Sequence, residues 1–292
     1  MSFTQIVKEE IIKNSPTSEY QLKYELEVFY QHTVSFVDKN TILFKTESKL
    51  TALRFFECIE KVYGISLYGL FDFDEDSKTV YECELENEEI FNDALEANST
   101  NFKIDSMSSE HKKIYISTSF LILGYILDPE KNYHIEFAFT NSVHAEYLKA
   151  CLSEFGINIK QLIKKNLLML YIKDSEQISD FLGIVNAYNA VLNIENVKIY
   201  KDVRNSINRN VNCETANLKK TVNASLKQIE AIEKISKLRG LDSLPQTLFE
   251  VAEARLNNTE LNLQELADIL GLSKSCVNHR FRKILEIAEE LN

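Results

Sequence analysis

The sequence predicts an α+β chain: two copies of an αββαββα unit, then an all-helical tail that ends in a helix-turn-helix. Three observations carry that expectation. Helical and strand-like segments occur twice in the same order, and VYGIS at 62–66 is answered by EFGIN at 154–158. Charge divides along the chain. Residues 1–197 hold 18 Lys and Arg against 31 Asp and Glu, whereas residues 198–292 hold 15 against 13. Finally, 263–284 places apolar side chains at helical spacing on both sides of a single glycine, Gly271.

In the first unit, 18–32 has helical periodicity through Tyr20, Tyr24 and Val28. Strand-like runs follow at Thr33–Val37 and Thr41–Lys45, joined by Asp38-Lys39-Asn40. A helix over 48–63 stops at Gly64, a residue suited to the left-handed end of a helix. Strands at 65–72 and 78–85 flank the polar turn 74–77, and a helix over 87–97 closes the unit. The second unit repeats the order. A helix over 113–125 leads to the turn Asp128–Asn132, and the strand Tyr133–Phe139 puts Tyr133, Ile135, Phe137 and Phe139 on one face. Asn141 is placed to cap a helix that Gly156 ends. A hairpin of strands 157–163 and 167–173 turns across Lys164-Lys165-Asn166, and Asp174 with Gln177 reads as a capping-box start to the last helix. The chain is thereby divided at 1–105, 106–200, 201–239 and 240–292.

Composition limits what the chain does. Its 45% hydrophobic and 26% charged residues are those of an ordinary globular protein, and three prolines with seven glycines leave little linker. No run of about 18 apolar residues is present, so no membrane span is expected. The first residues, MSFTQIVKEEIIKN, carry acids and lack the apolar core of a secretory signal, which points to the cytoplasm. Cys58, Cys83, Cys151, Cys213 and Cys276 are scattered with no C-x-x-C pair, so reduced thiols are expected. His134 and His144 are not at metal-ligand spacing, and no metal or other cofactor is expected.

The tail differs in kind. Between 205 and 235, Ile207, Val211, Leu218, Val222, Leu226, Ile229 and Ile232 trace a single helical stripe among Asn, Lys, Arg and Thr. One long helix, or two end to end, is expected there. In the helix-turn-helix, Leu263, Leu266, Ala267 and Leu270 face inward, Gly271 makes the turn and Leu272 plugs the core. Ser273 is placed to cap the second helix, and Val277, Phe281 and Ile284 bury its inner face. The outward residues Lys274, Ser275, Asn278, His279, Arg282 and Lys283 fit double-stranded DNA. The early ones meet base edges, with Asn278 suited to adenine, while Arg280, Arg282 and Lys283 meet phosphate. A packing or dimerisation module is the alternative reading.

The run DVRNSINRNVNCETAN at 202–217, with LDSLP at 241–245 and SKSCVNHRFRK at 273–283, resembles the bacterial WhiA family closely; over 1–197 the likeness is faint but colinear. That resemblance implies LAGLIDADG homing-endonuclease-like repeats in front of a DNA-binding helix-turn-helix. It further implies roles in transcription control, cell division, chromosome segregation and, in some filamentous bacteria, sporulation, with association to the nucleoid. Among its linker positions, Arg204, Asn205, Asn208, Arg209, Asn212 and Asn217 read either as DNA backbone contacts or as a polar junction between domains. In homing endonucleases the first helix of each repeat ends in an acid that holds a catalytic metal. Here those helix ends read YQHTVS at 30–35 and SFLILGY at 119–125, and the alignment puts Thr33 and Leu123 at the acidic positions. Asp128 belongs to the turn with Pro129. No catalytic residue is therefore expected. The acidic front is expected to repel DNA and is a candidate surface for a protein partner. A ligand-sensing or interaction scaffold and a residual metal-dependent nuclease are the competing functions.

Overall fold

The computed structural model describes residues 1–68, 80–99 and 107–291. The chain forms two compact units, Met1–Tyr200 and Lys201–Asn292. In the first unit, α1 (Phe3–Lys13) precedes α2 (Glu19–Thr33), β1 (Val34–Phe36), β2 (Thr41–Thr46), α3 (Lys49–Tyr63), β3 (Tyr81–Glu86) and α4 (Glu88–Ser99). The second copy runs α5 (Ser109–Leu123), β4 (Gly124–Ile126), β5 (Ile135–Phe139), α6 (Ser142–Glu154), β6 (Lys160–Lys164), β7 (Leu167–Ile172) and α7 (Ser175–Ile184). Among the described residues the sheets are β1-β2-β3 and β4-β5-β7-β6, antiparallel throughout.

Several expected elements end where their caps predict. Gly64 closes α3 at φ 69°, and the Asn141 side chain accepts from Val143 N to open α6. Asp174 caps α7, but Gln177 does not complete the box: its Oε1 accepts instead from Asn158 N at 3.0 Å. Lys165 and Asn166 both have positive φ, the conformation of a two-residue hairpin turn matched to strand twist.

Other elements differ from expectation. The strand expected over 65–72 is absent from its described part, 65–68, and the rest of it lies outside the described residues, as does the turn 74–77. The helix expected to reach 125 stops at Leu123, and Gly124–Ile126 pairs with β5. Thr4 of α1 explains the switch in part, because its hydroxyl donates to Ile126 O (2.7 Å) and accepts from Ile126 N (3.1 Å). Strand β5 begins at Ile135, leaving Tyr133 outside it.

Each repeat has its own core. Leu22, Leu26, Phe29 and Tyr30 of α2 pack with Phe44, Phe55 and Phe56, while Tyr115, Phe120 and Leu121 of α5 pack with Phe137, Leu170 and Phe181. α2 and α5 tie the repeats together. Val28 enters the second core, Ile122 touches both, Tyr24 stacks on His111 at 3.6 Å, and Thr51 Oγ1 donates to Leu121 O at 2.9 Å. A buried bidentate pair, Arg54 with Glu25 at 2.6–2.8 Å, fixes α3 on α2.

The tail opens with α8 (Tyr188–Arg239), a single helix of 52 residues that begins earlier than the periodicity indicated. Glu10 accepts from Asn189 N and Ala190 N, satisfying donors that a helix start leaves bare. The apolar stripe is not core along its length. Ile207, Val211, Leu218, Val222 and Leu226 are exposed, and burial begins only at Ser225, Gln228, Ala231, Ile232 and Ile235. After a 3-10 turn at Leu241–Ser243 come α9 (Gln246–Asn257), α10 (Leu263–Leu270) and α11 (Lys274–Glu290). Among the described residues no helix is long and apolar enough to cross a membrane.

Candidate nucleic-acid interface

The interface is built by α9, α10 and α11 around the last turns of α8. Asn262 opens α10 with a complete capping box, accepting from Gln264 N and Glu265 N while Glu265 accepts from Asn262 N. Gly271 closes it at φ 64°, and Leu272 N reaches back to Ala267 O at 2.9 Å. That paired ending is what a left-handed residue permits, and it turns the chain sharply into α11. Ser273 caps α11 by accepting from Cys276 N at 3.2 Å. Val277, Phe281, Ile284 and Ala288 are buried against Leu266, Ala267, Val251 and Ile232.

The far side of α11 is therefore fixed. Lys274, Ser275, His279, Arg282 and Lys283 are exposed together with the cap Ser273, and Asn278 is half-buried beside them. Lys274 and Arg282 lie about 80° apart at 100° per residue, with Lys274 in the helix's first turn, an arrangement suited to a polyanion, whereas Lys283 points away from Lys274. Arg280 is elsewhere. Its guanidinium donates to Thr247 O at 3.0 Å and lies 3.9 Å from Glu250, so it holds α9.

The linker residues stand apart. Arg204, Asn208 and Arg209 are exposed on α8, and the Arg209 side chain donates to Asn205 O at 3.3 Å. At 100° per residue Arg204 and Arg209 point about 140° apart, so one flat surface does not take both.

A group that the sequence did not single out braces the interface. Arg255 is 1% exposed, donates to Gln228 Oε1 (3.1 Å) and Leu261 O (2.6 Å), and lies 5.4 Å from the Phe281 ring. Ser225 adds a bond to Thr259 O at 2.8 Å. The end of α8, the α9–α10 loop and α11 are thereby locked together by a cation held on neutral acceptors. The signal in the sequence is an Arg placed among Val251, Ala252, Ala254 and Leu256.

In the front unit, Thr33 and Leu123 are the last residues of α2 and α5. The Thr33 hydroxyl donates to Phe29 O at 2.7 Å, and Leu123 packs against the second core. Among the described residues no group of three or more His, Cys, Asp or Glu is placed to hold a metal. The structure does bring His32 and His144 together, with rings 4.9 Å apart. Burial, then His144, pushes His32 down to about 3, so the pair is neutral packing.

Comparison with known proteins decides the family. A "Probable cell division protein WhiA" from Thermoanaerobacter sp. (strain X514) is 38% identical over 314 residues, spanning 100% of this chain and 98% of the relative. The chain belongs to the WhiA family. The family model "WhiA C-terminal HTH domain" matches residues 207–288, and "WhiA LAGLIDADG-like domain" matches 112–204. A relative of the same name from Clostridium tetani is 48% identical over 183 residues, covering 62% of this chain and 58% of that protein. The crystal structure of full-length DUF199/WhiA from Thermatoga maritima matches with TM-score 0.60 at 27% identity, over 99% of each chain. The α+β repeats and the helical tail of this WhiA-family chain thus have a solved counterpart. The match to the C-terminal HTH model begins at residue 207, within α8.

Proposed function

We propose that this chain is a DNA-binding regulator that reads duplex DNA with the first half of α11 and carries a front unit without nuclease activity. The observation that carries the reading is the split of α11. One face is buried against α9 and α10, while Lys274, Ser275, His279, Arg282 and Lys283 are exposed beside Asn278. Asn278 is assigned a base edge, with Lys274 and Ser275 next to it. Arg282 and Lys283 are assigned to phosphate, and Arg280 to bracing α9. Either Arg204 with Asn208, about 40° apart on α8, or Arg209 from another side of it is assigned to auxiliary backbone contact. By analogy with the relatives' printed names the role is in cell division, with chromosome segregation and nucleoid association as its setting in the cytoplasm. The acidic front unit is assigned to a protein partner.

The test is binding of the full chain to genomic duplex fragments as a function of salt. Affinity should fall steeply with salt, because each phosphate contact releases a counterion. Asn278→Ala should cost about 1–3 kcal/mol at preferred sites, and Arg282→Ala should weaken all sequences and lower the salt slope by about 1. Binding unchanged in the double variant would reject α11 as the reader. Supercoiled plasmid with Mg²⁺ or Mn²⁺ should stay intact, since neither Thr33 nor Leu123 offers a carboxylate ligand.

A further inference from the structure

We infer that the open edge of β6 takes up an extended, acidic segment of another protein as an added strand. Among the described residues the second sheet runs β4-β5-β7-β6, so β6 is one of its two edges. The two-residue hairpin turn makes Lys164 and Leu167 a hydrogen-bonded pair, and bonding then alternates along the register. Lys160, Leu162 and Lys164 therefore bond to β7, while the N–H and C=O of Gln161 and Ile163 point away from the sheet. The same alternation turns Ile126 outward on the opposite edge, and there the Thr4 hydroxyl takes both its groups, at 2.7 and 3.1 Å. Among the described residues nothing closes the outward groups of Gln161 and Ile163 in that way. Every residue of β6 is exposed, Ile163 at 79% and Leu162 at 42%.

Charge and the bare main chain choose the occupant. Residues 160–165 hold three lysines and no acid, within a front unit that is otherwise acidic. Lys160 and Lys164 flank Leu162 on one face of the strand. Two copies pairing antiparallel about Leu162 would set each Lys160 against the other copy's Lys164, and parallel pairing would oppose like with like. Edge lysines reject self-pairing in this manner. They welcome a strand with Glu or Asp at those places, because opposite charges across a ladder stabilise it. The main chain of such a strand meets the Gln161 and Ile163 amides, the mode by which extended peptides join a sheet edge. An apolar side chain opposite Ile163 continues the face on which Leu168 and Leu170 lie. Nucleic acid would use the lysines alone and leave the amides and Ile163 bare.

Titration of the full chain with a labelled peptide Glu-Val-Val-Thr-Glu, followed by fluorescence anisotropy, tests this. The acidic peptide should bind on the order of tenfold more tightly than its counterpart with Lys at both ends, and Lys160→Glu with Lys164→Glu should reverse that preference. Hydrogen exchange at the Gln161 and Ile163 amides should slow when the peptide binds. Ile163→Pro should abolish binding yet leave a folded protein, because proline is tolerated where an edge N–H faces outward. No binding at millimolar peptide overturns the proposal, as do equal affinities for the two peptides or binding that survives the proline. Should the proline variant fail to fold, the charge reversal and the exchange of the two amides decide. Displacement of the peptide by a single-stranded oligonucleotide, with those amides unprotected throughout, would mark a polyanion patch and overturn the proposal as well.

Discussion

At the scale of single residues, two positions in the front unit make sharp predictions. A Cβ on Gly124 would lie 2.2 Å from Phe120 Cδ2 and 2.7 Å from Phe120 O. The backbone oxygen at the end of α5 cannot swing aside, so Gly124→Ala should destabilise the unit by about 1–3 kcal/mol, read from urea unfolding. Glu27 is partly buried near two acids of α4. Burial, then Glu96 and Asp93, pushes its carboxyl up from 4.5 to about 7. The unfolded chain ionises it near 4.5, so the folded state holds the extra proton between those values. Its contribution is fully present below pH 4.5 and is lost as pH rises through 7. Glu27→Gln should therefore raise the melting temperature at pH 8 by a few degrees and leave it almost unchanged at pH 4. Equal shifts at both pH values would remove Glu27 as the cause.

At the scale of elements, legibility followed how local each determinant is. α10 and α11 were readable because Gly271, Ser273 and the spacing Val277, Phe281, Ile284 all act within one or two turns. The β6–β7 hairpin was readable for the same reason. Its turn carries strain that a sequence change should relieve: replacing Lys165-Asn166 with Asn-Gly suits two positive φ angles and should stabilise by about 1 kcal/mol in thermal unfolding. By contrast, β4 was illegible because Leu121–Ile126 is an almost unbroken apolar run, and its break at Gly124 depends on Thr4, more than a hundred residues away. Periodicity gave the helix over 207–226, which lies within α8. It does not give the burial of the stripe, since Ile207, Val211, Leu218, Val222 and Leu226 are exposed. At the site, Arg280, Arg282 and Lys283 read alike in sequence, as phosphate contacts. Only the distance from Arg280 to Thr247 O separates the brace from the free cations.

At the scale of the whole molecule, the consequence lies in where the helix-turn-helix unit begins. A division at residue 240 follows Gly240 and the LDSLP run, and it severs the core. Ala231, Ile232 and Ile235 of α8 are buried with Val251, Leu266, Phe281 and Ile284. Gln228 gives the Arg255 guanidinium one of its acceptors, and Ser225 donates to the α9–α10 loop. Removing these residues exposes the apolar face of α9 and α11 and leaves a buried cation short of a partner, each a kcal-scale loss in a domain too small to spare it. A fragment spanning 240–292 should therefore melt without a cooperative transition, whereas 222–292 should unfold cooperatively. Arg255→Met in the longer fragment should lower its midpoint without abolishing the transition, because the methionine keeps the packing on Phe281 while losing the bonds to Gln228 and Leu261. Calorimetry of the fragments decides the matter. A cooperative transition in 240–292 would show that α8 only adjoins the reading domain, and its absence there with recovery in 222–292 would make the end of α8 the first helix of that domain.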